Sequence, residues 1–188
     1  MRKYLCVLFC VFPVIVFYSQ VPNISYADPQ IFTVNQTINN LSPVNSGGSI
    51  PEQPFVTTLA GSGIAGFVDE AGTASRFNLP TEVAIDNQNN IIVVDRSNHR
   101  IRKITPSGEV TTIAGTGSIG SQDGPGYSAT FNYPDGIAID SQGNIFISDQ
   151  SNHKIRKISL DGQVTTFAGS GVGGFLDGTG LTAKFKYP

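Results

Sequence analysis

Val110-Thr111-Thr112-Ile113-Ala114-Gly115 stands 54 residues after Val56-Thr57-Thr58-Leu59-Ala60-Gly61 and 54 residues before Val164-Thr165-Thr166-Phe167-Ala168-Gly169. Phe77, Phe131 and Phe185 keep the same step, as do Asp69, Asp123 and Asp177. Residues 56–109 and 110–163 share 27 identities in 54 positions. Self-similarity at a fixed period means stacked supersecondary units, each burying its apolar face on the next.

Within one unit, short strand signals alternate with turn signals. Val83-Ala84-Ile85-Asp86 reads as a strand that stops at the turn-forming run Asn87-Gln88-Asn89-Asn90. Ile91-Ile92-Val93-Val94-Asp95 is a continuous apolar strand turned by Ser97-Asn98, and His99 to Ile104 is a third, ended by Pro106-Ser107-Gly108. Val110 to Ala114 is the fourth. Four strands in a meander, repeated, describe an all-β fold of β-propeller blades, about 81–114 and 135–168, whose sheets are covered on both faces by their neighbours. Phe55 to Ala60 then reads as an orphan outer strand, and the residues after Gly169 as the start of a third repeat. The glycine-rich connection from Gly61 to Pro80 recurs with its Asp and Phe, and Phe77 and its copies are expected to plug the gap between blades.

The N-terminus reads as an export signal over 1–27. Arg2 and Lys3 precede an apolar run, and Ser25-Tyr26-Ala27 supplies small residues for cleavage. An uncleaved anchor is the alternative, though the run is short and contains Pro13. Both cysteines, Cys6 and Cys10, lie in this segment, so a chain cleaved after Ala27 has no disulfide and no thiolate metal site. Cleavage also leaves ten basic against fourteen acidic residues, a net −4. That is a poor footprint for a nucleic-acid binder, which needs a basic surface to displace counterions from phosphates, and no nucleic-acid partner is expected. Residues 28–54, rich in Asn, Ser and Pro, read as a flexible polar spacer before the propeller portion, 55–188. The expected location is secreted, periplasmic or otherwise extracellular, with membrane contact only through the N-terminal signal.

The second unit carries Pro134-Asp135-Gly136-Ile137-Ala138-Ile139-Asp140, then Asn144-Ile145-Phe146-Ile147-Ser148-Asp149, then Ser151-Asn152-His153-Lys154-Ile155-Arg156-Lys157-Ile158 and Gly162-Gln163-Val164-Thr165-Thr166. This run resembles the NHL repeat. The first unit departs from that pattern at Thr81-Glu82, where the family usually has a glycine. The resemblance covers 55–188 and implies a six-bladed propeller, of which two blades are complete here, as in a partial chain. Open blade edges predict self-association.

Candidate chemistry is sparse. His99 and His153, the only histidines, sit at equivalent positions. They could ligate zinc, but a ligand cluster needs more convergent groups, and a structural role is the stronger reading. Asp86, Asp140, Asp95 and Asp149 end strands beside Asn or Ser and read as turn caps, and Asp69, Asp123 and Asp177 read as structural in glycine-rich loops. The Arg100-Ile101-Arg102-Lys103 and Lys154-Ile155-Arg156-Lys157 clusters read as solvated or paired between blades. The expected function is therefore an exported binding or interaction scaffold for a protein, small-molecule or carbohydrate ligand, with no cofactor. Its rim candidates are Thr81, Glu82, Asp135 and Gly136, which follow the prolines and differ between matched repeats. The alternative is a metal-dependent enzyme resembling propeller lyases or lactonases, with zinc or calcium in the channel of a full-length ring.

Overall fold

The computed structural model describes residues 56–188, together with Ile24–Ser25 and Val44–Asn45. The chain divides into two compact units, 1–56 and 57–188. In the first, strand β1 (Ile24–Ser25) pairs antiparallel with β2 (Val44–Asn45). The rest of the expected signal and spacer lies outside the described residues.

The second unit holds two antiparallel blades. The first runs β3 (Pro80–Ile85), β4 (Ile91–Asp95), β5 (Arg100–Ile104) and β6 (Val110–Ala114), hydrogen-bonded in that order. The second runs β8 (Pro134–Ile139), β9 (Ile145–Asp149), β10 (Lys154–Ile158) and β11 (Gln163–Ala168), with the two-residue β7 (Gly124–Pro125) added outside β11. The meander follows from the turns. Asp86 accepts from the backbone N–H of Gln88 (2.9 Å) and Asn90 (2.8 Å), and Asp140 does the same for Gln142 (2.9 Å) and Asn144 (2.8 Å). These Asx turns reverse the chain in the predicted places.

Alternation of side chains across each sheet builds the joint between blades. Ile92, Val94, Ile101 and Ala114 of the first blade face Ile147, Ile158 and Val164 of the second in one buried cluster, with Phe131 and Ala129 of the connection between them. Phe131 is the gap-filling side chain the repeat predicts. On the opposite face of the first blade, Val93, Ile104 and Val110, with Ile91 beside them, pack against Ala60 and Phe77. Residues 56–60 form no ladder, so the outer strand expected there is absent from the described residues.

Each connection crosses the blade that follows it and is tied there by one aspartate. Asp69 accepts from Arg102 on β5 and from the amide (3.1 Å) and hydroxyl (2.8 Å) of Thr112 on β6. Asp123 repeats this with Arg156 (2.6 Å) and with the amide (3.0 Å) and hydroxyl (3.1 Å) of Thr166. Arg102 also donates to Asp95 at 2.8 Å, and Arg156 to Asp149 at 2.8 Å, all four side chains being fully buried. The expectation that the basic clusters are solvated or paired between blades is thus corrected for these two arginines, which are buried and paired to their own blade and to the segment that crosses it. A guanidinium with five donors can satisfy two carboxylates and two loop carbonyls at once, which makes its burial tolerable. For Arg156 those carbonyls are Thr130 at 3.0 Å and Gln122 at 2.9 Å. Its flat face lies 5.2 Å from the centre of the Phe131 ring.

Candidate functional site

Two of the rim candidates, Thr81 and Glu82, occupy a bulge. β3 pairs Pro80 with Asp95 and then Val83 with Val93, leaving one residue more on β3 than on β4. β8 does the same between Pro134 and Ile137, which places Asp135 and Gly136 in the equivalent bulge. Bulges of this kind interrupt the ladder and re-aim side chains.

The two bulges meet across the joint. Thr81 Oγ1 donates to the Asp135 carbonyl at 2.7 Å, and the Ile137 amide donates to Glu82 Oε2 at 2.8 Å. Gly136 explains the fit. A Cβ there would meet Glu82 Oε2 at 3.2 Å and Ser148 Oγ at 3.0 Å, so the missing side chain in the second blade makes room for the carboxylate of the first. Position 82 of one repeat and position 136 of the next are thus complementary, and the departure from the repeat pattern at Glu82 has a structural partner.

Two residues that sequence reasoning did not single out complete the cluster. Arg96 and Gln150 open the equivalent short 3-10 turns after β4 and β9. Arg96 donates to Gln150 Oε1 at 2.9 Å, lies 3.4 Å from Asp135 Oδ1, and sits 5.4 Å from the centre of the Tyr133 ring. Gln150 Nε2 reaches Asp135 Oδ2 at 3.4 Å. Their signal in the sequence is their inequality, Arg in one repeat and Gln in the other, inside an otherwise matched Asp-x-Ser-Asn-His run. The result is a half-exposed polar cluster with one cation, two carboxylates, an amide and a hydroxyl drawn from two blades. It offers both donors and acceptors to a polar ligand, and among the described residues it shows no nucleophile–base pair.

The histidines are struts. His99 and His153 end those short turns with left-handed backbone, φ 53° and 55°. His99 Nδ1 accepts from the Tyr133 amide at 3.1 Å and His153 Nδ1 from the Tyr187 amide at 3.2 Å, each ring meeting the tyrosine edge to face. This assigns the proton of each neutral ring to Nε2. No group of three His, Cys, Asp or Glu close enough to hold a metal exists among the described residues.

Burial pulls the His99 pKa below its ordinary 6.5, ahead of an opposing pull from Asp149, with Arg100 acting in the same direction as burial. The unfolded chain then binds the proton more readily than the folded one, so stability is full above pH 6.5 and declines as pH falls through that value. Thermal unfolding between pH 8 and pH 5 is expected to show this decline, and His99→Asn to flatten it. An equal decline in the variant would refute the assignment.

Two open clefts lie away from the rim. One, of about 710 Å³, runs along β6 between Phe67 and Tyr127, and the other, of about 360 Å³, lies between the Asp86 and Gln142 turns.

Stacked four-stranded meanders joined at their faces by a shared apolar core are blades of a β-propeller. The NHL repeat pattern matches residues 77–104 and 131–158, one match on each blade. Each of the two blades thus carries one NHL repeat. The chain is 35% identical over 109 residues to Protein SUPPRESSOR OF QUENCHING 1, chloroplastic, of Arabidopsis thaliana, covering 55% of this chain and 10% of that protein. It is 35% identical over 97 residues to NHL repeat-containing protein 2 of Homo sapiens, covering 50% of this chain and 13% of that protein. The matched part is thus a small share of the length of these relatives. Among solved structures it resembles a protein of unknown function from Bacteroides thetaiotaomicron, with 38% identity, a TM-score of 0.51, and coverage of 53% of this chain and 26% of that one.

Proposed function

We propose that this NHL-repeat propeller portion is exported and acts as a binding scaffold, taking a polar ligand at its inner rim. The observation that carries the reading is the cluster of Thr81, Glu82, Arg96, Asp135 and Gln150, where the two repeats stop matching and their unlike residues converge. Elsewhere the repeat holds side chains to structural duties, as with Asp95, Asp149 and the buried arginines. Conserving a strand register while varying bulge residues is how a rigid scaffold carries a changeable site. The ligand class that suits alternating donors and acceptors is a carbohydrate or a short peptide. An exported location is supported by the N-terminal charge and apolar pattern of 1–27 and the confinement of both cysteines to it.

Thermal unfolding in the presence of a panel of mono- and disaccharides and dipeptides tests the site. At least one is expected to raise Tm in the parent chain and not in Arg96→Gln. A shift that survives Arg96→Gln places the ligand elsewhere and overturns the reading. N-terminal sequencing of the secreted protein is expected to start at Asp28, and retention of Met1 in a membrane fraction would overturn cleavage. Elemental analysis of the purified chain addresses the metal-dependent alternative: stoichiometric zinc or calcium would favour it over the scaffold.

A further inference from the structure

We propose that the cleft along the outer edge of β6 is a second binding site, separate from the rim, that takes a stretch of a neutral oligosaccharide chain. Its walls come from successive crossing segments, Phe67 from the one tied to the first blade and Tyr127 from the one tied to the second. The floor is the end of β6, and Asp161 and Gln163, where β10 turns into β11, close one side. At about 710 Å³ the cleft falls within the ordinary range for small-molecule sites, about 300–1,000 Å³.

Tyr127 is the observation that carries the proposal. Its side chain is 84% exposed, and neither its ring nor its hydroxyl has a partner among the described residues. Yet the turn beneath it is firmly held. Gly126 donates to the Gly162 carbonyl and accepts from the Gly115 amide, both at 2.9 Å, and the amides of Ser128 and Ala129 close on the Pro125 carbonyl at 2.8 and 2.9 Å. The matched turn of the first repeat has the same ties, Gly72 donating to Gly108 at 2.8 Å and accepting from Gly61 at 3.0 Å, but carries Thr73 at its tip. An aromatic ring held rigidly in water, where the fold accepts threonine, is a platform for a flat apolar face. Phe67 repeats the pattern: it is 42% exposed, and the matched residue of the second repeat is Ser121.

The polar groups between the rings select the class of ligand. Arg100 is spent. Its guanidinium lies 3.8 Å from the centre of the Phe67 ring, and it donates to the carbonyls of Asn98 at 3.1 Å and Thr116 at 2.6 Å. Asp69 is engaged by Arg102 and Thr112. Capacity remains at Asp161, whose Oδ1 accepts from the Ser159 hydroxyl while Oδ2 accepts nothing among the described residues, and at the exposed side chain of Gln163. A cleft whose uncompensated charge is one carboxylate repels phosphates and acids and accepts from hydroxyls. The C–H faces of sugar rings suit the two aromatic walls. A peptide cannot add to β6 as a strand, because that edge is already covered. Ala71 bridges to Glu109, Asp69 takes the Thr112 amide, and Gly126 lies so near the Ile113 carbonyl that a Cβ there would stand 2.2 Å from it.

Titration calorimetry of the full chain with neutral hexasaccharides of glucose, xylose, mannose and N-acetylglucosamine is the test. At least one is expected to bind with a Kd of about 1 mM or tighter. Tyr127→Thr and Phe67→Ser, which install the residues of the matched repeat positions, are each expected to weaken it by about tenfold. Asp161→Asn is expected to weaken it as well. Arg96→Gln is expected to leave it unchanged, which separates this site from the polar cluster at the rim. Raising the salt to about 0.5 M is expected to have no effect, since no charge pair forms. Thermal unfolding checks the fold of each variant, and Phe67→Leu replaces Phe67→Ser if the latter unfolds. Failure of every hexasaccharide to bind, parent-like binding by Tyr127→Thr, loss of binding in Arg96→Gln, or binding abolished by salt would each overturn the proposal.

Discussion

Arg156→Leu is expected to destabilise the protein by about 3–5 kcal/mol, the usual cost of leaving a buried charge without its partner. Arg156 and Asp149 have no exposed side-chain surface, and Arg156 joins β10, β9 and the crossing segment. Burial pushes the Asp149 carboxyl above its ordinary value, against the opposing pull of Asn152, the Asn132 amide and Arg156. Without the arginine the first influence dominates. The Thr130 carbonyl loses its arginine donor as well, and the Gln122 carbonyl is left with the Thr130 amide. Urea unfolding at neutral pH measures the loss. Adding Asp149→Leu is expected to recover part of it and no more, because the Asn132 amide and the Asn152 side chain each donate to that carboxylate at 2.8 Å and would then be unmet. A single variant within about 1 kcal/mol of the parent would show that the arginine is not the bolt it is taken for.

Phe131→Ala is expected to cost about 3–5 kcal/mol by the same measurement, the range for deleting a fully buried aromatic side chain. Phe131 is wholly enclosed between the two blades, where it touches the shared core and the guanidinium of Arg156. Phe77 and Phe185 hold the same place in the repeat but are only half-buried. Their alanine variants are therefore expected to cost clearly less. Three equal losses would mean that position in the repeat, rather than enclosure between blades, sets the energy.

Much of this architecture was readable in advance because its causes are local. The Asx turns at Asp86 and Asp140, the apolar runs of β4 and β9, and the fixed step of Phe131 are properties of short stretches, and the repeat shows them more than once. Thr81, Glu82, Asp135 and Gly136 stood out because they break the match, and the structure brings all four together. The fate of the arginines was not readable locally. Arg102 is one of three basic residues within four positions, a pattern that ordinarily marks a wet surface, and its burial becomes intelligible with Asp95 on the neighbouring strand and a second carboxylate 33 positions earlier. Asp123 and Arg156 keep that same separation of 33. Arg96 and Gln150 escaped notice for the opposite reason: they vary within a turn, where variation ordinarily means no more than exposure.

The aspartate that ties each crossing segment to the sheet ahead of it shifts the boundaries along which this protein divides. Residues 61–114 and 115–168 each contain a connection, the arginine that receives it and the threonine that closes it, so all the ties of one such block are internal to it. Dissection at the sheet borders, before Pro80 or Pro134, would sever Asp69 from Arg102 or Asp123 from Arg156. Cuts just ahead of Gly61, Gly115 or Gly169 would keep both aspartate ties intact. Duplication, grafting or trimming of this chain accordingly has its natural seams at those three glycines, half a turn of the repeat away from where the strands alone would put them.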